Sequence, residues 1–283
     1  VVGKEREAMT TKAEFRVDLH SHTRGSDGHS TASEIVERAI AAGLDGLCLT
    51  DHHKVRTPES DEVAALAKKC GLKVFRGVEY SSDCGHLLLF GIDNKLVDSF
   101  GFYCNAQTVI DAVNAAGGAV VASHPFRSSS RALYEKVATL TGLAAWEGYN
   151  GQCSYRSPAV NELAVSLAKR KGRRITGGSD AHDARDLGLA YTVFPEEFDT
   201  DRGLVRALKR GGYKAVLDTK RVERLRLWLN EQRWGVSVLD KCALPALRVG
   251  SAPSKPSKTA TSPTNPGARL PEAFEGGFKR WSA

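Results

Sequence analysis

Residues 15–53, FRVDLHSHTRGSDGHSTASEIVERAIAAGLDGLCLTDHH, hold a strand, a helix and a second strand. Phe15–Leu19 is short and β-rich, and a helix is expected at about 31–42. Thr31 is its N-cap, with Glu34 three residues on to complete a capping box. Ile35, Val36, Ala39 and Ile40 share a face of that helix, Gly43 ends it, and Gly46–Leu49 is the next strand. Each strand runs directly into chemistry-bearing side chains: His20 and His22 after the first, Asp51, His52 and His53 after the second.

The same alternation continues along the chain. Thr57 caps a second helix with Pro58 at its first position and Gly71 beyond its end. Strands are expected at Leu72–Val78, His86–Ile92, Ala119–Ala122, Leu143–Tyr149, near Ile175 and at Leu189–Phe194. Helices are expected at about 106–116, 156–171 and 201–210, the second with Val160, Leu163, Ala164 and Leu167 inward. Alternation at this spacing implies a mostly parallel sheet with helices outside, and seven or so strands in about 200 residues favour a closed or distorted β/α barrel over an open sheet. One more amphipathic helix, 219–234, carries Val222, Leu225 and Leu229 on one side.

The formal charge of +7 invites a nucleic-acid reading, but its distribution weakens it. Residues 221–283 carry eleven basic and five acidic groups, which leaves the preceding chain nearly balanced. Residues 250–283 form a basic, Pro/Ser-rich tail, expected to be disordered. The remaining divisions are a flexible extension at 1–14, a barrel at 15–214, and a C-terminal helix and linker at 215–249. No apolar run approaches the roughly 20 residues that span a bilayer. With no secretory pattern and six cysteines lacking CxxC pairs, a reducing cytoplasm is expected.

All eight histidines lie between positions 20 and 182, most of them just past an expected strand. The C-terminal strand ends of a β/α barrel form one face, so that face collects His20, His22, His52, His124, Glu79, Asp180 and His182. A lone histidine at a strand end is an ordinary loop residue; the joint pattern is not. His20-x-His22 puts alternate side chains on one side of a strand, and Asp180-x-His182 has the same geometry. Nitrogen and oxygen donors without cysteine suit zinc, manganese or iron. Their number exceeds what one ion needs, and multinuclear centres favour phosphate-ester hydrolysis.

Asp18-Leu19-His20-Ser21-His22-Thr23, followed by Ser26-Asp27-Gly28, resembles the opening motif of the PHP (polymerase and histidinol phosphatase) superfamily. Thr50-Asp51-His52, Gly77-Val78-Glu79, Ser123-His124-Pro125 and Gly178-Ser179-Asp180-Ala181-His182 resemble its later motifs, in family order. The resemblance implies a distorted seven-stranded β/α barrel of TIM-like type with a trinuclear metal centre. The implied ligands are His20, His22, Asp27, His52, Glu79, His124, Asp180 and His182, with His86 as the histidine that follows the motif glutamate at variable spacing. Asp51 would orient His52 or a metal-bound water.

The expected chemistry is attack on phosphorus by a metal-activated hydroxide, using two or three divalent ions. Asp180 and His182 belong to the catalytic set, and Arg127, three residues after His124, is the candidate phosphate clamp, with Arg24 second. A small phosphorylated substrate, such as a nucleotide, a sugar phosphate or histidinol phosphate, is favoured. An exonuclease or phosphodiesterase acting on nucleic-acid ends and a catalytically inactive, metal-stabilised scaffold are the alternatives. A C–N hydrolase would call for a lysine at a central strand end, and none stands there.

Overall fold

In the computed structural model, a nine-stranded sheet curls around a phenylalanine-rich interior; the structure describes residues 14–127 and 132–234. The expected extension at 1–13, the linker after 234 and the basic tail lie outside the described residues.

The elements are β1 (Phe15–Asp18), α1 (Ala32–Ala41), β2 (Gly46–Leu49), α2 (Pro58–Lys69), β3 (Lys73–Ser81), β4 (His86–Phe90), α3 (Asn94–Phe100), α4 (Ala106–Ala115), β5 (Ala119–Ala122), β6 (Ala145–Asn150), α5 (Gly151–Arg156), α6 (Pro158–Arg170), β7 (Ile175–Gly178), β8 (Ala190–Phe194), α7 (Asp201–Arg210), β9 (Lys214–Leu217) and α8 (Thr219–Trp234). Both expected caps form: Thr31 makes its capping box with Glu34 on α1, and Thr57 caps α2, where Ser60 completes a second box that was not expected.

Strand order is β7-β6-β5-β4-β3-β2-β1-β8-β9. β1, β2 and β3 are mutually parallel, as are β5, β6 and β7. β4 is reversed between these blocks because it returns from β3 through a tight turn in which Gly85 O accepts from Ser82 N at 2.9 Å. β8 pairs antiparallel with β1, and β9 with β8. β7 and β8 then meet through one side chain: Gly177 N–H donates to Thr192 Oγ1 at 2.9 Å, and that hydroxyl donates to Gly177 O at 3.0 Å. A Cβ on Gly177 would lie 2.5 Å from Tyr191 O, so only glycine permits this closure.

The barrel interior is filled by Phe15, Val17, Phe75, Leu88, Phe90, Val121 and Phe194. α7 plugs its lower end with Leu204, Val205 and Leu208 in the same cluster. That end is blocked by apolar packing, and polar side chains are left to the opposite rim, where the parallel strands finish.

β9, α3 and α5 were not expected, and two helix faces are rotated from the expected ones. Ile40 of α1 and Leu163 of α6 are each 45% exposed. On α6 the inward positions are Asn161, Ala164 and Ala168. Asn161 turns the helix because its side chain completes both backbone groups of Asn150, accepting from Asn150 N at 3.1 Å and donating to Asn150 O at 2.9 Å. A buried amide that satisfies two backbone groups outweighs one leucine's contact with the core.

Candidate metal centre

β1 ends in an extended segment that continues along the last turn of the barrel. His22 N donates to Ala181 O at 2.9 Å and Asp180 N to His20 O at 2.8 Å, stitching the two His/Asp-bearing segments side by side. The pleat sends His20 and His22 inward together, with their Nε2 atoms 3.2 Å apart. Glu79, near the end of β3, brings Oε2 to 3.3 Å from both. Asp180 brings Oδ1 to 3.4 Å from both. All four residues are buried.

Two further clusters adjoin this one. Asp27 lies between His22, His52 and His182: Oδ1 is 3.4 Å from His22 Nδ1, and Oδ2 is 3.3 Å from His52 Nε2 and 3.1 Å from His182 Nε2. His52 and His86 meet on Glu79, with Nδ1 distances of 3.5 Å and 2.7 Å to its two oxygens. His22, His52 and Glu79 each belong to two of the three groups. His124 stands beside them, with Nε2 2.9 Å from Glu79 Oε1. Of the residues expected at the site, eight therefore converge as donor groups and His124 touches the set through Glu79.

The surrounding shell contains residues that the sequence reading passed over. Glu147 of β6 places Oε1 2.9 Å from His20 Nδ1, while its Oε2 accepts from His124 N at 2.7 Å and Asn150 Nδ2 at 3.0 Å. Gln152 of α5 lies 2.8 Å from His182 Nδ1. The usable signal for Glu147 was a lone acid inside an apolar strand at the barrel rim. Asp51 has a different task from the expected one. It accepts from Thr23 N at 2.7 Å, Thr23 Oγ1 at 2.6 Å and Ser26 Oγ at 2.8 Å, which folds the loop that delivers Asp27.

Arg127 lies at the mouth, with Nη1 2.9 Å from Asp180 Oδ2 and Nη2 3.0 Å from Gln152 Oε1. Together with Asp27, His29, His52, His86, Arg156 and His182 it lines an open depression of about 420 Å³ above Glu79. Arg24 is not in that lining; its Nε donates to His29 O at 2.9 Å. His124 and Asp180 hold positive φ angles of 24° and 57°, a strained backbone that often marks functional positions.

Electrostatics follow from packing imidazoles against carboxylates. Burial opposes charge on His20, but Asp180, Glu147 and Glu79 outweigh it and raise its pKa well above the ordinary value. Burial likewise opposes ionisation of Glu79 and Asp180, yet the surrounding histidines hold both well below the carboxylate range. His86 moves the other way, pushed down by burial despite Glu79.

The donor set fits cations. Asp180 Oδ1 is buried with no hydrogen-bond donor, although Oδ2 of the same carboxylate is satisfied by Arg127 and by Asn150 Nδ2 at 3.2 Å. Four lone-pair atoms thus converge where no protein N–H answers Oδ1, an arrangement suited to a bound cation. Imidazole nitrogen with carboxylate oxygen and no thiolate is a borderline-to-hard set.

Comparison with known proteins agrees with this geometry. The PHP domain family profile matches residues 18–124, and the PHP-associated profile matches 158–213. The chain is 35% identical over 198 residues to a PolC-type DNA polymerase III of Clostridium perfringens, covering 65% of this chain and 13% of that protein. It is 41% identical over 81 residues to a 3′,5′-nucleoside bisphosphate phosphatase of Chromobacterium violaceum, covering 27% of this chain and 28% of that protein. The chain thus matches only a minor part of the length of these relatives. Among solved structures, a two-domain protein from Bacteroides vulgatus containing a predicted PHP-like metal-dependent phosphoesterase superposes with a TM-score of 0.57 at 19% identity, over 76% of this chain and 70% of that one. With the ordered motifs, the convergent His/Asp/Glu clusters and both family profiles in agreement, the chain belongs to the PHP domain family.

Proposed function

We propose that this centre hydrolyses phosphoesters and that its preferred substrate is a small phosphomonoester of the nucleotide, sugar phosphate or histidinol phosphate kind. The observation that carries this reading is the convergence of three carboxylates and five imidazoles beneath an arginine-rimmed depression. Two or three divalent ions, zinc, manganese or iron, would be held by His20, His22, Asp27, His52, Glu79, His86, Asp180 and His182, with His124 completing the set against Glu79. Ions bound in such sites supply an acidified water near neutral pH and positive charge for phosphate oxygens.

The chain's own groups do the rest. Glu147 accepts the Nδ1 proton of His20 and leaves Nε2 free to ligate, and the Asp180 carbonyl, 2.9 Å from His182 Nδ1, serves that ring in the same way. Arg127 is tied to Asp180 and Gln152, so its guanidinium is fixed at the mouth, where it would meet the non-bridging oxygens of a bound ester. His182 lines the depression and lies 3.6 Å from Asp180, which places this pair next to the reacting group. A depression of about 420 Å³ accommodates a small ester.

Two features bear on the alternatives. The open mouth and the likeness to a PolC-type polymerase support action on nucleic-acid ends as the second reading. Retention of the ligand set weighs against an inactive scaffold. A cytoplasmic setting accords with free Cys48, Cys70, Cys84, Cys104 and Cys153, and no helix among the described residues is long and apolar enough to cross a membrane.

The deciding experiment is metal analysis by mass spectrometry on protein purified without added metal, followed by p-nitrophenyl and bis-p-nitrophenyl phosphate assays with Mn²⁺ or Zn²⁺ restored. Two or three ions per chain, with monoester turnover lost in Asp180→Ala, is the expected result. Diester preference would favour the nuclease reading. Fewer than two ions and no turnover of either ester would refute the hydrolase.

A further inference from the structure

Away from the metal centre, α8, which lies beyond both matched family segments, closes a second charged cavity against α1 and the turn after His182. Arg38 of α1, Arg185 from the turn after His182, and Arg221 and Arg224 of α8 line a cleft of about 570 Å³ with Leu225 and Trp228. Among the described residues, no carboxylate lines it.

The guanidinium groups are anchored from behind and underused in front. Arg221 Nη2 donates to Leu187 O at 2.7 Å and Arg38 Nη2 to Arg185 O at 3.4 Å. Arg221 Nη1 and Arg38 Nε are buried with no hydrogen-bond partner. Arg221 packs against Gly188, where a Cβ would come within 2.9 Å of Nη1. Arg185 is held by Asp183 and lies 5.0 Å over the Trp228 ring, while Trp228 remains 41% exposed. Burial and the neighbouring Arg38 charge both work against the charge on Arg221.

Gathering four like charges around one cavity is costly, and so is burying N–H donors without acceptors. A multiply charged anion relieves both costs. Guanidinium groups match phosphate oxygens in geometry, and the apolar wall with its indole offers a stacking surface for a planar ring. A neighbouring depression lined by Arg24, His29, Glu34, Arg38, Asp183 and Arg185 shares Arg38 and Arg185 with this cleft and His29 with the metal-site depression.

We propose that this cleft is a second ligand site, distinct from the metal centre, that binds the phosphate and base of a nucleotide through Arg38, Arg185, Arg221, Arg224 and Trp228. Two sources carry this chemistry: a free nucleotide, or one nucleotide unit of a single strand that passes along the shared depression.

The test is equilibrium binding to the full metal-loaded chain, using α,β-methylene-ADP and a phosphorothioate (dT)10 as hydrolysis-resistant probes. Arg224→Glu should weaken binding of the recognised probe by about tenfold or more, the loss of one charge-assisted contact and its replacement by repulsion. Trp228→Ala should weaken it severalfold while leaving pyrophosphate binding within about twofold. Asp180→Asn, which alters the metal centre, should leave the cleft's affinity unchanged. Tight binding of the diphosphate with no gain for the oligonucleotide identifies the free nucleotide. Stronger binding of (dT)10, with a steep salt dependence, identifies the strand. Both substitutions are on exposed positions of α8, and circular dichroism checks that they fold. No saturable binding of either probe up to about 1 mM, or binding indifferent to Arg224→Glu and Trp228→Ala, would overturn the proposal. Neither result depends on ester turnover, so this site and the catalytic reading can fail separately.

Discussion

Replacing Glu147 with glutamine should weaken metal binding although Glu147 belongs to none of the three donor groups. The carboxylate serves three donors at once: His20 Nδ1 at 2.9 Å, His124 N at 2.7 Å and Asn150 Nδ2 at 3.0 Å. A carboxylate at Nδ1 keeps the ring proton there and leaves Nε2 as a lone pair facing His22, Glu79 and Asp180. Glutamine keeps the volume but has one acceptor oxygen and an NH₂. If its oxygen serves His124 N, the NH₂ faces His20 Nδ1, and the ring must move its proton to Nε2, into the ligand cluster. The lost interaction is one charge-assisted hydrogen bond between buried groups, about 1.5–3 kcal/mol. At 1.4 kcal/mol per decade this is roughly 10- to 150-fold, in line with the 10–100-fold typical of residues that orient metal ligands. Competition for Zn²⁺ against a chromophoric chelator measures it directly, with circular dichroism as the check on folding. A folded Glu147→Gln protein whose affinity stays within about twofold of wild type would refute the reasoning.

Arg127→Ala should lower kcat/KM for p-nitrophenyl phosphate by roughly 10- to 100-fold, and Arg127→Lys should not restore it, because a point charge cannot reproduce the paired contacts to Asp180 and Gln152. Chelation should lower the melting temperature, and metal restored to about 100 times its Kd should return about 2.7 kcal/mol, visible by calorimetry. Thr31→Ala removes the α1 capping box and should cost about 1 kcal/mol in urea unfolding with ester turnover unchanged. Burial raises the pKa of Asp201 above 3.8, partly offset by the Arg76 N–H it accepts at 2.9 Å. The folded protein therefore holds that proton more tightly than the unfolded chain, so the stability it confers is full below about pH 4 and is lost as pH rises through the raised value. Asp201→Asn should consequently gain on wild type between about pH 4 and neutrality; parallel unfolding curves at the two pH values would contradict this.

The strained backbone at His124 and Asp180 has a structural counterpart in the fixed groups around it. Asp180 cannot relax outward, because Arg127 and Asn150 hold one oxygen and the His20 carbonyl holds its amide. His124 is pinned by Glu147 at its amide and by Glu79 at its ring. Positioning of this kind is the form in which a fold stores geometry for a ligand it must hold without adjustment.

What the sequence by itself determined is what is local. Strand and helix alternation, both capping residues, and the placement of His20, His22, His52, Glu79, Asp180 and His182 just inside or beyond strand ends depend on residues a few positions apart. The pleat alone puts His20 and His22 on one side. The rest was decided by tertiary structure, because it depends on groups far apart in the chain. The reversal of β4, the closure of the barrel through Thr192 on Gly177, and the rotation of α6 by Asn161 all follow from packing that no local pattern encodes. Glu147 reads as one acid in an apolar strand until β6 lies beside β1 and its carboxylate meets His20, 127 residues away. The four arginines of the α8 cleft are equally unremarked in sequence, being ordinary surface charges until helix docking removes water and brings them into one another's field.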